Sequence, residues 1–170
     1  MRFRIVVHID APADSVVATL VDTDFIAATA SLPPLGEAKV LACERDDDRV
    51  VMQVRYRFTG KLPRAAKAVV DPDRLTWIDH AVHDLASHRS DHRIAPDHYP
   101  DRLQARYSTE VSSEPGGSRR TAAGSVRVRA PLVASRVERA IVSGLEEHAR
   151  AEAELLTRWL ADDLSPPAGR

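Results

Sequence analysis

Arg49-Val50-Val51-Met52-Gln53-Val54-Arg55-Tyr56-Arg57-Phe58 is the most regular stretch of the chain. Val50, Met52, Val54, Tyr56 and Phe58 share one parity. Arg49, Gln53, Arg55 and Arg57 share the other, and Val51 is the exception. Side chains alternate across a strand, so this pattern describes a strand with one apolar and one solvated face.

The same alternation recurs on both sides. Phe3, Ile5, Val7 and Ile9 predict a half-buried strand over Arg2–Asp10. Further strands are predicted at Ala38–Glu44, Leu75–Leu85, His88–Ala95, Arg102–Ser112 and Arg119–Arg129. Turn-rich stretches separate them, among them Asp46-Asp47-Asp48 and Glu114-Pro115-Gly116-Gly117-Ser118. After the first strand, Val16, Val17, Leu20 and Val21 form a short helical face. Asp24 is placed to cap a second helix, which Pro33-Pro34 ends. Leu62, Ala65, Ala66, Val69 and Val70 suit one short amphipathic helix, an expected lid at a cavity mouth.

The last element reads as one long helix with Pro131 in its first turn. Its stripe runs through Val133, Val137, Ile141, Leu145, His148, Leu155, Leu156 and Trp159, apart from a gap around Ala149–Ala153. About 30 residues at ~1.5 Å each give about 45 Å, enough to cross a whole sheet. Strand, two short helices, six strands and a long helix make an α+β layer architecture, a curved antiparallel sheet wrapped round the final helix. One domain over residues 1–163 and a disordered tail over 164–170 are expected.

Composition sets the limits. The chain has 170 residues, with 24 basic and 25 acidic side chains, and 24 − 25 gives a net charge of −1. No global basic field draws such a protein to nucleic acid, and aromatics at 5% do not suit a base-stacking platform. The single cysteine, Cys43, excludes an intrachain disulfide and a Cys-based zinc site. No apolar run approaches the ~20 residues of a membrane span, and no signal-peptide stretch opens the chain. A cytoplasmic domain without cofactor or metal is expected.

The order of elements, together with Phe3-x-Ile5-x-Val7 running into Asp10-Ala11-Pro12-Ala13-Asp14-Ser15-Val16, resembles the START-like superfamily, also called SRPBCC or helix-grip proteins. That superfamily includes polyketide cyclases, lipid-transfer domains and the major birch pollen allergen. Val54-Arg55-Tyr56-Arg57-Phe58-Thr59-Gly60, Arg74-Leu75-Thr76-Trp77, Pro96-Asp97-His98-Tyr99-Pro100-Asp101-Arg102 and Arg136-Val137-Glu138-Arg139-Ala140-Ile141 look like one uncharacterised bacterial family within it. The resemblance covers residues 1–162. It implies a hydrophobic cavity between sheet and long helix, and a small hydrophobic or amphipathic ligand, lipid or polyketide-like, bound without catalysis. The residues expected to line it are Val54, Tyr56, Phe58, His80, His92, Tyr107, Thr109, Val126, Ile141 and Leu145. A cyclase or hydrolase with a cavity histidine as general base, and a protein-interaction module of cochaperone or toxin–antitoxin type, are the alternatives.

His80-Ala81-Val82-His83-Asp84-Leu85-Ala86-Ser87-His88-Arg89-Ser90-Asp91-His92 is the sharpest local feature. A hairpin turning about Ala86 pairs Asp84 with His88 and His80 with His92. Thr76, Ile78, His80, Val82, Asp84, His88, Ser90, His92 and Ile94 then share the inward face, with Asp84 and His88 nearer the rim, while Trp77, Asp79, His83, Arg89, Asp91 and Arg93 face out. The histidines are then a satisfied polar pair, a ligand anchor, or a metal or acid–base site. A one-residue slip in register changes the face.

Other enzyme patterns are thin. Ser87, His88 and Asp84 lack the strand–turn–helix elbow of a G-x-S-x-G nucleophile. Gly116-Gly117 lacks the following helix of a phosphate loop. Arg119, Arg120, Arg127, Arg129, Arg136 and Arg139 read as a solvated basic face. Gly144 is expected either to admit close approach of the sheet or to leave room for a ligand.

Overall fold

The chain runs β1 (Arg2–Ile9), α1 (Ala13–Thr19), α2 (Thr23–Ala28), β2 (Leu35–Asp46), β3 (Arg49–Phe58), β4 (Thr76–Asp84), β5 (Arg89–Pro96), β6 (Leu103–Glu114), β7 (Gly117–Val128) and α3 (Ala134–Asp163). This is a computed structural model, and it describes residues 1–60, 67 and 71–163. The expected Leu62–Val70 lid and the tail over 164–170 lie outside the described residues.

All seven strands join one antiparallel sheet in the order β1-β7-β6-β5-β4-β3-β2. Consecutive strands from β2 to β7 are neighbours, and β1 closes on β7. Turn chemistry sets several joints. Between β6 and β7, Pro115 is followed by Gly116 at φ 87°, the left-handed value that the third position of a type II turn takes. Asp22 caps α2, its carboxylate accepting from the N–H groups of Asp24 at 2.7 Å and Phe25 at 3.0 Å. The expected cap, Asp24, lies two residues inside instead, where its charge favours the helix N-terminus. Pro131 precedes α3 rather than starting it, and Leu132 between them has φ 66°.

α3 lies along β1 and β7. Near its start, Glu138 accepts from the Val128 N–H at 2.9 Å; near its end, Thr157 accepts from the Asp10 N–H at 3.2 Å. Two apolar clusters form on the inner face of the sheet. One joins Ile5, Val7, Ile9, Val111, Val16, Val17 and Phe25 to Ala153, Leu156 and Leu160 of α3. The Phe25 and Trp159 rings meet edge to face there at 5.5 Å. The other joins Val50, Met52, Val54 and Ala81 to Val21 and Ile26. β5 runs between the two and contributes to neither cluster.

Candidate functional site

The register of the β4–β5 hairpin decides what faces inward. Ala81 pairs with His92, His83 with Ser90, Asp79 with Ile94, and His80 with Arg93. The loop is the four residues Leu85 to His88, with His88 at φ 55° and the Ser87 N–H donating to the Asp84 carboxylate at 3.0 Å. The expected turn about Ala86 is one residue too short. The correction splits the expected face in two. Ser90, His92 and Ile94 of β5 point inward as read, but on β4 the inward set is Trp77, Asp79, Ala81 and His83. His80 is therefore on the outer face and opposite Arg93, where it lines an open hollow with Val82, Asp91 and Arg106.

Asp79, Ser90, His92 and Thr109 are exposed by only 7%, 7%, 9% and 4%. They form one hydrogen-bonded chain. Asp79 Oδ2 takes the Tyr107 hydroxyl at 3.0 Å and His92 Nδ1 at 3.0 Å. With the carboxylate as acceptor, Nδ1 carries the imidazole proton and Nε2 accepts from Ser90 Oγ at 2.9 Å. Ser90 Oγ in turn accepts from Thr109 Oγ1 at 2.6 Å. The Tyr107 ring stacks on His92 with centroids 4.3 Å apart and an interplanar angle of 5°. Gly124 makes room for this. A Cβ there would lie 2.3 Å from the Arg106 carbonyl oxygen and 2.5 Å from Tyr107 Cβ.

Charged neighbours complete the strip. His83 meets His92 edge to face at 5.5 Å. Burial, then the neighbouring His92 and Arg120, push the His83 imidazole down to about 4, so it is neutral at neutral pH. Burial and the nearby Asp79 push the Tyr56 and Tyr107 hydroxyls well up. Arg120 of β7 pairs with Glu152 of α3. Burial is the largest influence on Glu152 and pushes its carboxyl up, but Arg120 and His148 together hold it down. Asp79 Oδ1, Arg120 Nε and His148 Nδ1 are buried without a hydrogen-bond partner among the described residues.

Val54, Tyr56, Phe58, His92, Tyr107, Thr109 and Val126 all belong to the inward parity of their strands, while Ile141 and Leu145 lie half-buried on α3. Asp79 and His83, expected on the outer face, and Arg120, expected in a solvated patch, all stand on the inward parity of their strands. A signal for Arg120 was present: it shares parity with Ala122, Gly124 and Val126. Ser90 stands two residues from His92 on the inward face, as the alternation of β5 implies. Gly144 meets nothing tight, since a Cβ there would touch only Pro34 at 3.8 Å. Among the described residues no group of three or more His, Cys, Asp or Glu side chains could hold a metal ion. No described helix is long and apolar enough to cross a membrane.

An open antiparallel sheet gripping a long C-terminal helix, with two short helices after its first strand, is the START-like, or SRPBCC, fold. The chain belongs to the family described as a protein of unknown function (DUF2505), whose model matches residues 4–160. No curated protein matches it by sequence. Among solved structures it is similar to TTHA0849 from Thermus thermophilus, at a TM-score of 0.69 and 14% identity over 97% of this chain and 100% of that one. It is similar to the Zhui aromatase/cyclase from Streptomyces sp. R1128, at 0.65 and 13% over 100% and 99%. A START superfamily protein from Mycobacterium smegmatis matches at 0.58 and 14% over 95% and 97%. At these identities the likeness is one of fold.

Proposed function

We propose that the protein binds a small amphipathic molecule on the inner face of the sheet, its polar end on the strip around Asp79 and His92. One observation carries this reading: a polar strip with unpartnered buried atoms adjoins inward apolar residues that the fold leaves half-exposed. Tyr56, Phe58, Trp77, Ile94, Leu103, Val128 and Ile141 are all half-buried. Ligand sites combine such apolar walls with a few convergent polar groups. Asp79 Oδ1 offers an acceptor and Arg120 Nε a donor, so a ligand with a hydroxyl and a carbonyl beside an apolar body suits both. A polyketide-like or lipid-like compound has that character. His80 is dropped from the site, and Asp79 and Arg120 take its place. A cytoplasmic setting is part of the same reading.

Native mass spectrometry of protein purified from its own host tests this, alongside titration with the fluorescent probe anilinonaphthalene sulfonate. Extra mass from a bound small molecule, and probe binding lost in Ala105→Phe with the fold intact, are the expected results. Ligand-free protein that also ignores the probe would overturn the reading.

A further inference from the structure

Beyond binding, we propose that Ser90 is the nucleophile of an acyl-transfer site that hydrolyses esters of apolar acyl groups, with His92 as its base and Asp79 orienting that base. A nucleophile within hydrogen-bond reach of a base that a third group orients is the signature of such sites. Here Ser90 Oγ lies 2.9 Å from His92 Nε2, and His92 Nδ1 lies 3.0 Å from Asp79 Oδ2. The parts come from adjacent strands. Ser90 and His92 stand two apart on β5, so both point to the inner face, and Asp79 reaches across from β4.

The surroundings fit the chemistry better than they fit a purely structural network. A structural polar network is stable when every member is satisfied. This one leaves Asp79 Oδ1 and, nearby, Arg120 Nε buried without partners among the described residues. Meanwhile the reacting geometry is held from several sides. Tyr107 stacks on the imidazole and bonds the same carboxylate oxygen, and Thr109 holds the Ser90 hydroxyl from behind at 2.6 Å. Such support is what a site needs to stay within a fraction of an ångström of productive geometry. His83, uncharged beside His92, adds no competing cation. Arg120, paired with Glu152 on the same inner face, keeps a buried Nε–H without a partner among the described residues.

The step balances with water as the only co-reactant. Ser90 Oγ bonds to the acyl carbon as its proton passes to His92 Nε2. The tetrahedral species collapses, the acyl C–O bond breaks, and the leaving alcohol takes the proton from Nε2. Water then gives a proton to Nε2 and its oxygen to the acyl carbon; the acyl–Oγ bond breaks and Ser90 recovers its proton. Ester and water become acid and alcohol, with no change of oxidation state. The proposal rests on the binding reading only for the apolar acyl group.

The test is diisopropyl fluorophosphate with intact-mass analysis and peptide mapping, alongside release of p-nitrophenol from p-nitrophenyl butyrate and octanoate. A single adduct on Ser90 is expected. Turnover should fall by about 10³-fold in Ser90→Ala and in His92→Gln. Ser90→Ala should keep the wild-type near-UV circular dichroism and cooperative melt, which shows that its fold persists. No adduct and no turnover in wild-type protein that binds the probe would overturn the nucleophile and leave the binding reading standing. Turnover unchanged in Ser90→Ala would overturn it as well. An adduct on Ser90 in ligand-free protein that also ignores the probe would support the nucleophile and overturn the binding reading.

Discussion

The two ends of the sheet's inner face carry the same kind of side chain in different states of burial. At the end near β1 and the last turns of α3, Ile9 and Leu156 are completely buried, and Ile5, Val7 and Val111 nearly so. At the other end, Tyr56, Trp77, Ile94, Leu103 and Val128 face the same way and stay half-exposed. α3 differs along its length in the same sense: Ala153, Leu156 and Leu160 are buried, while Val137, Ile141 and Leu145 are not. Alternation tells which way a side chain points. It does not tell whether anything covers it, and that depends on where the helices lie. The first end is a core. The second has the character of a wall.

Deleting side-chain volume breaks the comparison most directly. Leu156→Ala leaves a cavity in packed surroundings and should cost about 3–5 kcal/mol. Ile141→Ala, on a half-exposed side chain, should cost less than about 1 kcal/mol, because less apolar surface is buried there and solvent can fill the gap. Urea unfolding of the two variants measures both. Equal costs would mean that the two ends are packed alike.

The polar strip between the ends should show itself in pH dependence. His83 is held at about 4 in the fold against an ordinary value near 6.5. Between those values the unfolded chain binds a proton that the folded protein does not. Stability from this group is therefore complete above about pH 6.5 and is lost as pH falls towards 4, by about 3 kcal/mol at most. His92, Arg120 and Asp79 surround it, so His83→Gln is the control. The variant should flatten the wild-type slope between pH 6.5 and 4. A wild-type profile that matches the variant's would place His83 in contact with water.

Much of this architecture was legible in the sequence, for identifiable reasons. β1, β3, β6 and β7 each have one plainly apolar parity, so their inner faces could be read without knowing their partners. β4 has none. Ile78 and Val82 argue for one face, Trp77 and Ala81 for the other, and each carries a histidine. Its orientation then hung on the loop, and one extra residue moved Asp79 in and His80 out. A carboxylate on a strand is ordinarily exposed, and what compensates the burial of Asp79 is His92 and Tyr107 from other strands. Those pairings exist only once the register is known. Arg120 is the same case: its partner Glu152 lies 32 positions away on another element.

Adding volume sharpens the comparison further. Ala153→Phe forces a ring into the buried cluster and should cost about 2 kcal/mol or more through strain. Ala105→Phe places the same ring on β6 at the half-exposed end and should change stability by less than about 0.5 kcal/mol. Thermal melts of the pair decide it, and a large penalty at Ala105 would show that this end is already filled.

Gly144 gives the smallest effect and the most specific one. Glycine inside a helix is less stable than alanine by about 1 kcal/mol, because it loses more backbone freedom on folding. The substitution gains that energy only where the new methyl group fits. At Gly144 it meets only Pro34 Cγ at 3.8 Å, an ordinary van der Waals contact. Gly144→Ala should therefore stabilise the protein by about 0.5–1 kcal/mol. The residue lies between Ile141 and Leu145, on the part of α3 that has no fully buried side chain. If that part of the helix borders the ligand, the variant melts higher and yet binds anilinonaphthalene sulfonate more weakly. A higher melt with unchanged probe binding would move the ligand away from α3, towards β4 and β5. A lower melt would mean that the helix and the Pro34 segment pack more closely than their separation allows, and the contrast between the two ends would fail at this point.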